Sequence, residues 1–460
     1  MAKPHFDPIA ELVTTALQHL QDGFDLPQKP EPAIPEAGRM QQVLAEAATR
    51  MADNYPYFHP LYAGQMLKPP HPVAHAAYSM AMAINPNNHA RDGGRASSTM
   101  ELEAVREIAA MFQWTEFLGH LTSGGTFANL EALWVAGQTA PGKRIAASSQ
   151  AHYTHNRISA VLGLECEEVP ADHTGRMNLT ALEESLRQNN IGTVVVTLGT
   201  TALGAVDPLA DILKLRERYG FRVHVDAAYG GYFTLAQNLD AETRRHFDAA
   251  GQADSIVIDP HKHGLQPYGC GCVLFRDPAV GRFYKHDSPY TYFTSNQLHL
   301  GEISLECSRA GASAVALWTT QRLLPLVPGG EFAKGLESGR EAALELHRRL
   351  QANQNAIAPL QPELDIVVWA LRGETVGESS TRARIAFEEA ARQNLHLALV
   401  QMPVHLFHRV TWKDSRANPS NAVVTCLRSV LMKPEHSLWM DAIWSRLQIA
   451  MSAAADNVGQ

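Results

Sequence analysis

The chain has 460 residues, 45% of them apolar and 19% charged, with a formal net charge of −8. That length exceeds one comfortable hydrophobic core and implies two or more domains, and the composition is that of an ordinary globular protein rather than a disordered one. The acidic balance argues against nucleic acid as the main partner, and no run approaches the roughly 20 apolar residues of a membrane helix.

The start, Met1 to Asp7, lacks the apolar core of a secretory signal. Cys166, Cys270, Cys272, Cys307 and Cys426 form no paired framework, so a cytoplasmic chain with reduced thiols is expected. Residues 8–22 carry helical periodicity. Residues 25–35 are proline-rich and read as an extended connector, and 36–53 read as a second helix. Prolines in Asn54–Tyr62 forbid a regular helix and leave an aromatic loop.

From about residue 98 to 320 strands and helices alternate. Helices are expected over 101–113, 126–138, 152–164 and 207–219, and strands over 144–149, 191–198, 221–226, 255–259 and 271–275. Such alternation predicts an α/β fold with a mostly parallel, doubly wound sheet covered on both faces. Ligands of such sheets bind at the carboxyl ends of strands. After Trp318 the pattern changes to a long helix over 331–354, strands over 364–371 and 397–403, and a helix over 436–453. A smaller α+β domain with its boundary near residue 320 is expected.

Two of the strand ends carry chemistry. Asp226 closes the run Phe221–Val225, and a buried carboxylate needs a partner. Lys262 follows the run Ser255–Asp259, and lysine is rarely buried unless paired or reactive. A lysine amine that forms a Schiff base with an aldehyde, and a carboxylate that partners a pyridine nitrogen, are the two groups a pyridoxal phosphate (PLP) enzyme needs. Ser123-Gly124-Gly125-Thr126 precedes a helix, where small residues let backbone amides approach an anion. Taken alone it is an ordinary turn. His152 opens a helix and could stack on a flat cofactor or simply cap. Thr200 closes a strand at the same edge. His261-x-His263 and His71-x3-His75 have ligand-like spacing, yet neither adjoins a glutamate in a zinc-protease arrangement, so no metal is expected.

These motifs, in this order, resemble the PLP-dependent group II amino-acid decarboxylases, relatives of the aromatic-amino-acid, glutamate and archaeal tyrosine/aspartate decarboxylases. Asp259-Pro260-His261-Lys262 is similar to the family's Schiff-base motif, and His224-Val225-Asp226-Ala227-Ala228 to its pyridine-partner motif. Gln150-Ala151-His152-Tyr153, Thr197–Thr201, Phe58-His59-Pro60, Glu101-Leu102-Glu103 and Cys307-Ser308-Arg309-Ala310-Gly311 match in turn. The resemblance implies a fold-type I, aspartate-aminotransferase-like enzyme that decarboxylates an L-amino acid to its amine. It implies an obligate homodimer with shared active sites. Residues 1–75 would pack on the partner subunit, 76–320 would bind PLP, and 321–460 would form the small domain.

The resemblance also implies roles. Lys262 would bind the cofactor aldehyde, Asp226 would keep the ring nitrogen protonated, and His152 would stack on the ring. Ser123, Gly124, Gly125, Thr126 and His261 would hold the phosphate. Thr200, Ala228 and Asp259 would lie near the cofactor, with Ser308 contributed across the interface. Tyr290, with Tyr292 close behind it, would return the proton to Cα; phenylalanine there would suggest aldehyde synthesis. The stretch from His263 to Gly269 is closer to archaeal decarboxylases and to sphingosine-phosphate lyase than to the animal aromatic enzymes. A carbon–carbon lyase or an aldehyde-forming relative is therefore the alternative.

Overall fold

The run Ile191–Thr197 is rich in β-branched residues and every one of its seven residues is buried. A strand buried on both faces belongs at the centre of a sheet, and it lies there in the structure, a computed structural model describing residues 7–24, 27, 37–188, 190–285, 304–407, 410, 412–414 and 422–456. The large sheet comprises β1 (Leu118–Thr122), β2 (Arg144–Ser148), β3 (Cys166–Val169), β4 (Ile191–Thr197), β5 (Arg222–Asp226), β6 (Ser255–Ile258) and β7 (Gly271–Phe275). Its order is β1-β7-β6-β5-β4-β2-β3. The expected alternation holds over this region, and β7 alone runs against its neighbours β1 and β6.

Several of the expected boundaries move. The helix expected over 101–113 begins at Arg95 and ends at Met111. The helix expected from His152 begins at Thr154, so His152 stands in the turn before it. The strand expected to include Asp259 ends at Ile258. Helices flank both faces, and Gly220 closes Leu209–Tyr219 in the left-handed conformation (φ 69°) that glycine adopts freely.

A second sheet is antiparallel, formed by β8 (Ala356–Ile357), β9 (Ile366–Leu371), β10 (Ala398–Pro403) and β11 (Val423–Val430) in the order β10-β11-β9-β8. Its own core joins Leu346, Trp369, Leu427, Ile443 and Leu447 beneath helices Glu331–Gln351, Val376–Arg392 and Met440–Asp456. Polar ties hold this sheet against the large one. Tyr229 donates to Asp365 at 2.6 Å, Arg176 grips Glu363 through two hydrogen bonds of 3.0 and 2.6 Å, and Arg428 on β11 donates to the Thr201 carbonyl at 2.9 Å.

Candidate active site

The carboxyl ends of β1, β2, β4, β5 and β6 converge on a cavity of 410 Å³. Ser123, Gly124, Gly125, Thr126, His152, Asp226, Ala228, Asp259, His261 and Lys262 all line it. Thr200 does not line it. Its hydroxyl is fully buried and accepts from the Ala205 amide at 3.1 Å, and Gly199 and Thr201 face the cavity in its place. Ser308 is exposed, its hydroxyl accepting from Asn87 Nδ2 at 3.1 Å. Tyr290 and Tyr292 lie outside the described residues.

Asp226 ends β5 and is 5% exposed. Burial alone would raise its pKa. The hydrogen bond from His155 Nε2 at 2.8 Å, with the charges of His155 and Lys262, overrides burial and holds the carboxyl well below the usual carboxylate range. Its other oxygen accepts from the Ala228 amide at 3.1 Å. Behind this pair, His224 bridges Ser255 and Asn129 at 2.8 Å on each ring nitrogen, and burial lowers its pKa to about 3. A neutral imidazole therefore backs the site.

Lys262 sits in the connection between β6 and β7. Its Nζ lies 3.0 Å from Asp259 Oδ2, and its side chain keeps 22% exposure where Asp259 keeps 3%. Asp259 Oδ1 and His261 Nδ1 are buried beside it without a hydrogen-bond partner. His152 lies across the cavity, its Nδ1 2.8 Å from the Thr154 hydroxyl. Burial outweighs the nearby Asp226 charge and lowers its pKa, so the ring is neutral at pH 7.

Helix Gly125–Thr139 opens at the cavity floor, where the first amides of a helix have no intrahelical acceptor. Space there is tight, since a Cβ on Gly125 would stand 2.6 Å from Asp259 Oδ2. The carboxylate of Glu306 accepts from the Ser123 amide at 3.0–3.1 Å. Next to it, Arg309 donates to Glu101 Oε1 at 2.6 Å and to the Leu121 carbonyl at 2.9 Å. The Cys307–Gly311 segment is thereby anchored to its own chain at the end of β1.

His155, Glu306 and Arg428 are not among the residues that sequence reasoning selects. His155 stands three residues after His152 and 71 residues from the acid it serves, so no local signal marks it. His71 Nδ1 accepts from the Val73 amide as a helix cap, while His263 turns away from His261 to pack on Tyr229 and Phe233.

A lysine beside a carboxylate, an ionised aspartate at a strand end and a helix N-terminus in one cavity fit PLP. The unpartnered polar atoms of Asp259 and His261 and the glycine-lined floor suit its polar substituents. This is the architecture of a fold-type I PLP-dependent enzyme. Residues 23–372 match the pyridoxal-dependent decarboxylase conserved domain, and the chain belongs to that family. It is 28% identical over 441 aligned positions to an L-tyrosine decarboxylase of Enterococcus faecium, covering 72% of each chain. It is 31% identical over 312 positions to a probable L-tyrosine/L-aspartate decarboxylase of Methanospirillum hungatei, covering 66% of this chain and 80% of that one. The solved Oryza sativa TDC with PLP and tryptamine shares the fold at a TM-score of 0.77 and 16% identity, over 98% and 99% of the two chains. The protein is a PLP-dependent amino-acid decarboxylase.

Proposed function

We propose that the cavity at the strand ends is the active site, that Lys262 carries the cofactor, and that the substrate is an L-amino acid, with L-tyrosine and L-aspartate from the relatives' names the first to try. The observation that carries this reading is the placement of Lys262 and the ionised, buried Asp226 in one cavity. When bound, PLP supplies an electron sink for the pair released at Cα as the carboxylate leaves.

The chain's own residues do the rest. Lys262 Nζ offers the amine, and Asp259 at 3.0 Å holds it and can accept its proton. Asp226 provides a fixed negative charge for a protonated pyridine nitrogen, the preorganised electrostatics that such chemistry rests on. His152, neutral and across the cavity, gives a flat face for the ring. Gly124, Gly125, Thr126, His261 and the Ser123 hydroxyl supply donors for the phosphate, the Ser123 amide being taken by Glu306, and Ala228 and Thr201 close the walls. Arg428 holds the Thr201 carbonyl from the small sheet. Tyr290 delivers the proton to Cα, a role supported by its position in the motif after the lysine.

We infer a homodimer with a shared site. Helix Ala37–Met51 supports it, because Met40, Val43, Leu44 and Met51 are all exposed on that helix and call for a cover. Tyr55 and Phe58 are exposed beside it. Two separate sheets support a division near residue 320, but helix Gly311–Leu323 spans that position as helix Pro72–Met82 spans residue 75, so both divisions are better drawn outside those helices. A cytoplasmic location is supported by five unpaired cysteines; no helix among the described residues is long and apolar enough to cross a membrane.

The test is direct. The purified protein should be coloured, with the colour fixed by borohydride and absent from Lys262→Ala, and it should release carbon dioxide from at least one of Tyr, Phe, Trp, Glu, Asp and diaminobutyrate. A coloured protein that releases none from the whole panel sinks the decarboxylase reading; an uncoloured one sinks the site.

A further inference from the structure

A second cavity, of 510 Å³, lies behind the first. Tyr229 and His263 form the partition. Tyr229 lines the first cavity, His263 lines the second, and their rings meet edge to face at 4.6 Å. The opposite wall is built from Lys68, Lys433 and helix Glu331–Gln351.

Nothing in the established chemistry uses the polar groups collected here. Lys433 is 3% exposed, and its ammonium donates to the Tyr62 carbonyl at 2.7 Å and to that of Leu67 at 3.4 Å. One N–H remains. The Lys68 ammonium reaches the Met432 carbonyl at 3.4 Å, and two N–H groups remain. Neither lysine has an ion pair within 4 Å among the described residues, although Glu331 and Glu435 line the same cavity. His263 is 1% exposed and neither of its ring nitrogens makes a hydrogen bond; Nε2 lies 3.3 Å from Asp365 Oδ2 without the alignment of one.

Lys433 is a buried cation held by carbonyls with Glu435 acting from beyond ion-pair distance, His263 is a buried imidazole without partners, and Lys68 stands half-buried beside them; such buried polar groups are normally satisfied. Burial lowers the Lys68 pKa to about 8, and burial together with the Lys68 charge lowers that of Lys433 to about 7. A negative group seated between them would reverse that strain.

We propose that this cavity binds the oxyanion of a small molecule, a carboxylate or a phosphate, between Lys68, Lys433 and His263. The apolar walls Leu265 and Phe332 take the carbon body of such a ligand. Glu331 and Glu435 repel a second negative group, which favours a ligand charged at one end. Occupancy reaches the first cavity through His263, which follows Lys262 in the chain and packs on Tyr229.

The holoenzyme, whose phosphate cradle is filled by its own cofactor, is titrated calorimetrically with inorganic phosphate and, separately, with butyrate. Saturable binding of at least one is expected, and which one binds tells the phosphate source from the carboxylate source. Lys68→Met should weaken it about tenfold or more, the effect of losing one charge-assisted hydrogen bond, with the cofactor absorbance unchanged. In the unaltered protein the bound ion should also slow acylation of Lys68, read by mass spectrometry. No saturable binding of either ion, equal binding by Lys68→Met, or no protection of Lys68 overturns the proposal. None of these readouts uses turnover, so they are independent of which amino acid is the substrate.

Discussion

His155 Nε2 stands 2.8 Å from Asp226 Oδ2, with the two side chains 1% and 6% exposed. An acid this deep would be neutral without a donor. His155 is thus a positioning residue that acts through Asp226. His155→Phe should raise the Asp226 pKa and lower kcat by roughly 10–100-fold, the scale seen when an outer partner of a site ligand is removed. Cofactor affinity should fall with it, and His155→Gln should restore part of both. The sign is fixed by the depressed pKa. The stabilising charge is present above the ordinary carboxylate range and is lost as pH falls through the lowered value, so the variant should lose cofactor at a higher pH than the parent. An unchanged pH dependence of cofactor binding would refute the positioning role.

Tyr290→Phe should cut amine formation by about 100-fold or more, the contribution of a placed general acid, and divert product toward aldehyde. Tyr292→Phe should leave both within a factor of two. Chromatography of the products decides between them, and equal losses in the two variants would reassign the proton donor.

Glu101 is fully buried and accepts from Arg309 at 2.6 Å, Asn88 at 2.7 Å and the Leu121 amide at 2.9 Å. Glu101→Ala removes the buried carboxylate that Arg309, Asn88 and the Leu121 amide share and should destabilise the fold by about 3–5 kcal/mol. Glu101→Gln, which still accepts from Leu121, should cost less. Urea midpoints measure both, and a neutral Glu101→Ala would show that Arg309 finds another acceptor.

Asp207 accepts from the amides of Met177 and Thr197 at 2.7 and 2.8 Å, yet burial pushes its pKa up to about 7. A raised folded value gives stability that is complete below the unfolded pKa of about 4 and lost as pH rises through 7. The unfolding free energy of the parent should therefore decline between pH 5 and 7.5 more steeply than that of Asp207→Asn. Parallel slopes would place the titration elsewhere.

Much of the large sheet was legible because its strands are written in β-branched residues. Ile191–Thr197 and Arg222–Asp226 need no context to be seen, and an acid at the end of such a run stands out. The small sheet was harder. β11 hides Cys426, Arg428 and Ser429 in a strand whose polar residues are buried by tertiary contacts, not by pattern. The fully buried residues of helix Val376–Arg392 are all serines and alanines, with Ile385 and Phe387 only partly buried against the core, which leaves a weak apolar stripe. β1 contains Gly119 and His120 and carries no strand pattern in the sequence, and His120 is tolerated because Glu131 meets its Nε2 at 2.8 Å. Thr201 and not Thr200 faces the cavity, and sequence order alone does not say which of two adjacent hydroxyls a strand end turns inward.

The reversed direction of β7 has a consequence for how this enzyme can move. The other cavity loops each leave the sheet into a helix and can lengthen or swing with it. Lys262 is held in a link of 12 residues, between Ile258 and Gly271, whose two ends are hydrogen-bonded to one another as neighbouring strands. That link is a closed span, stiff against displacement at both ends. Whatever gating the substrate needs must come from the segments facing the lysine, and insertions that enlarge the site for new substrates should be tolerated there and not in the span itself.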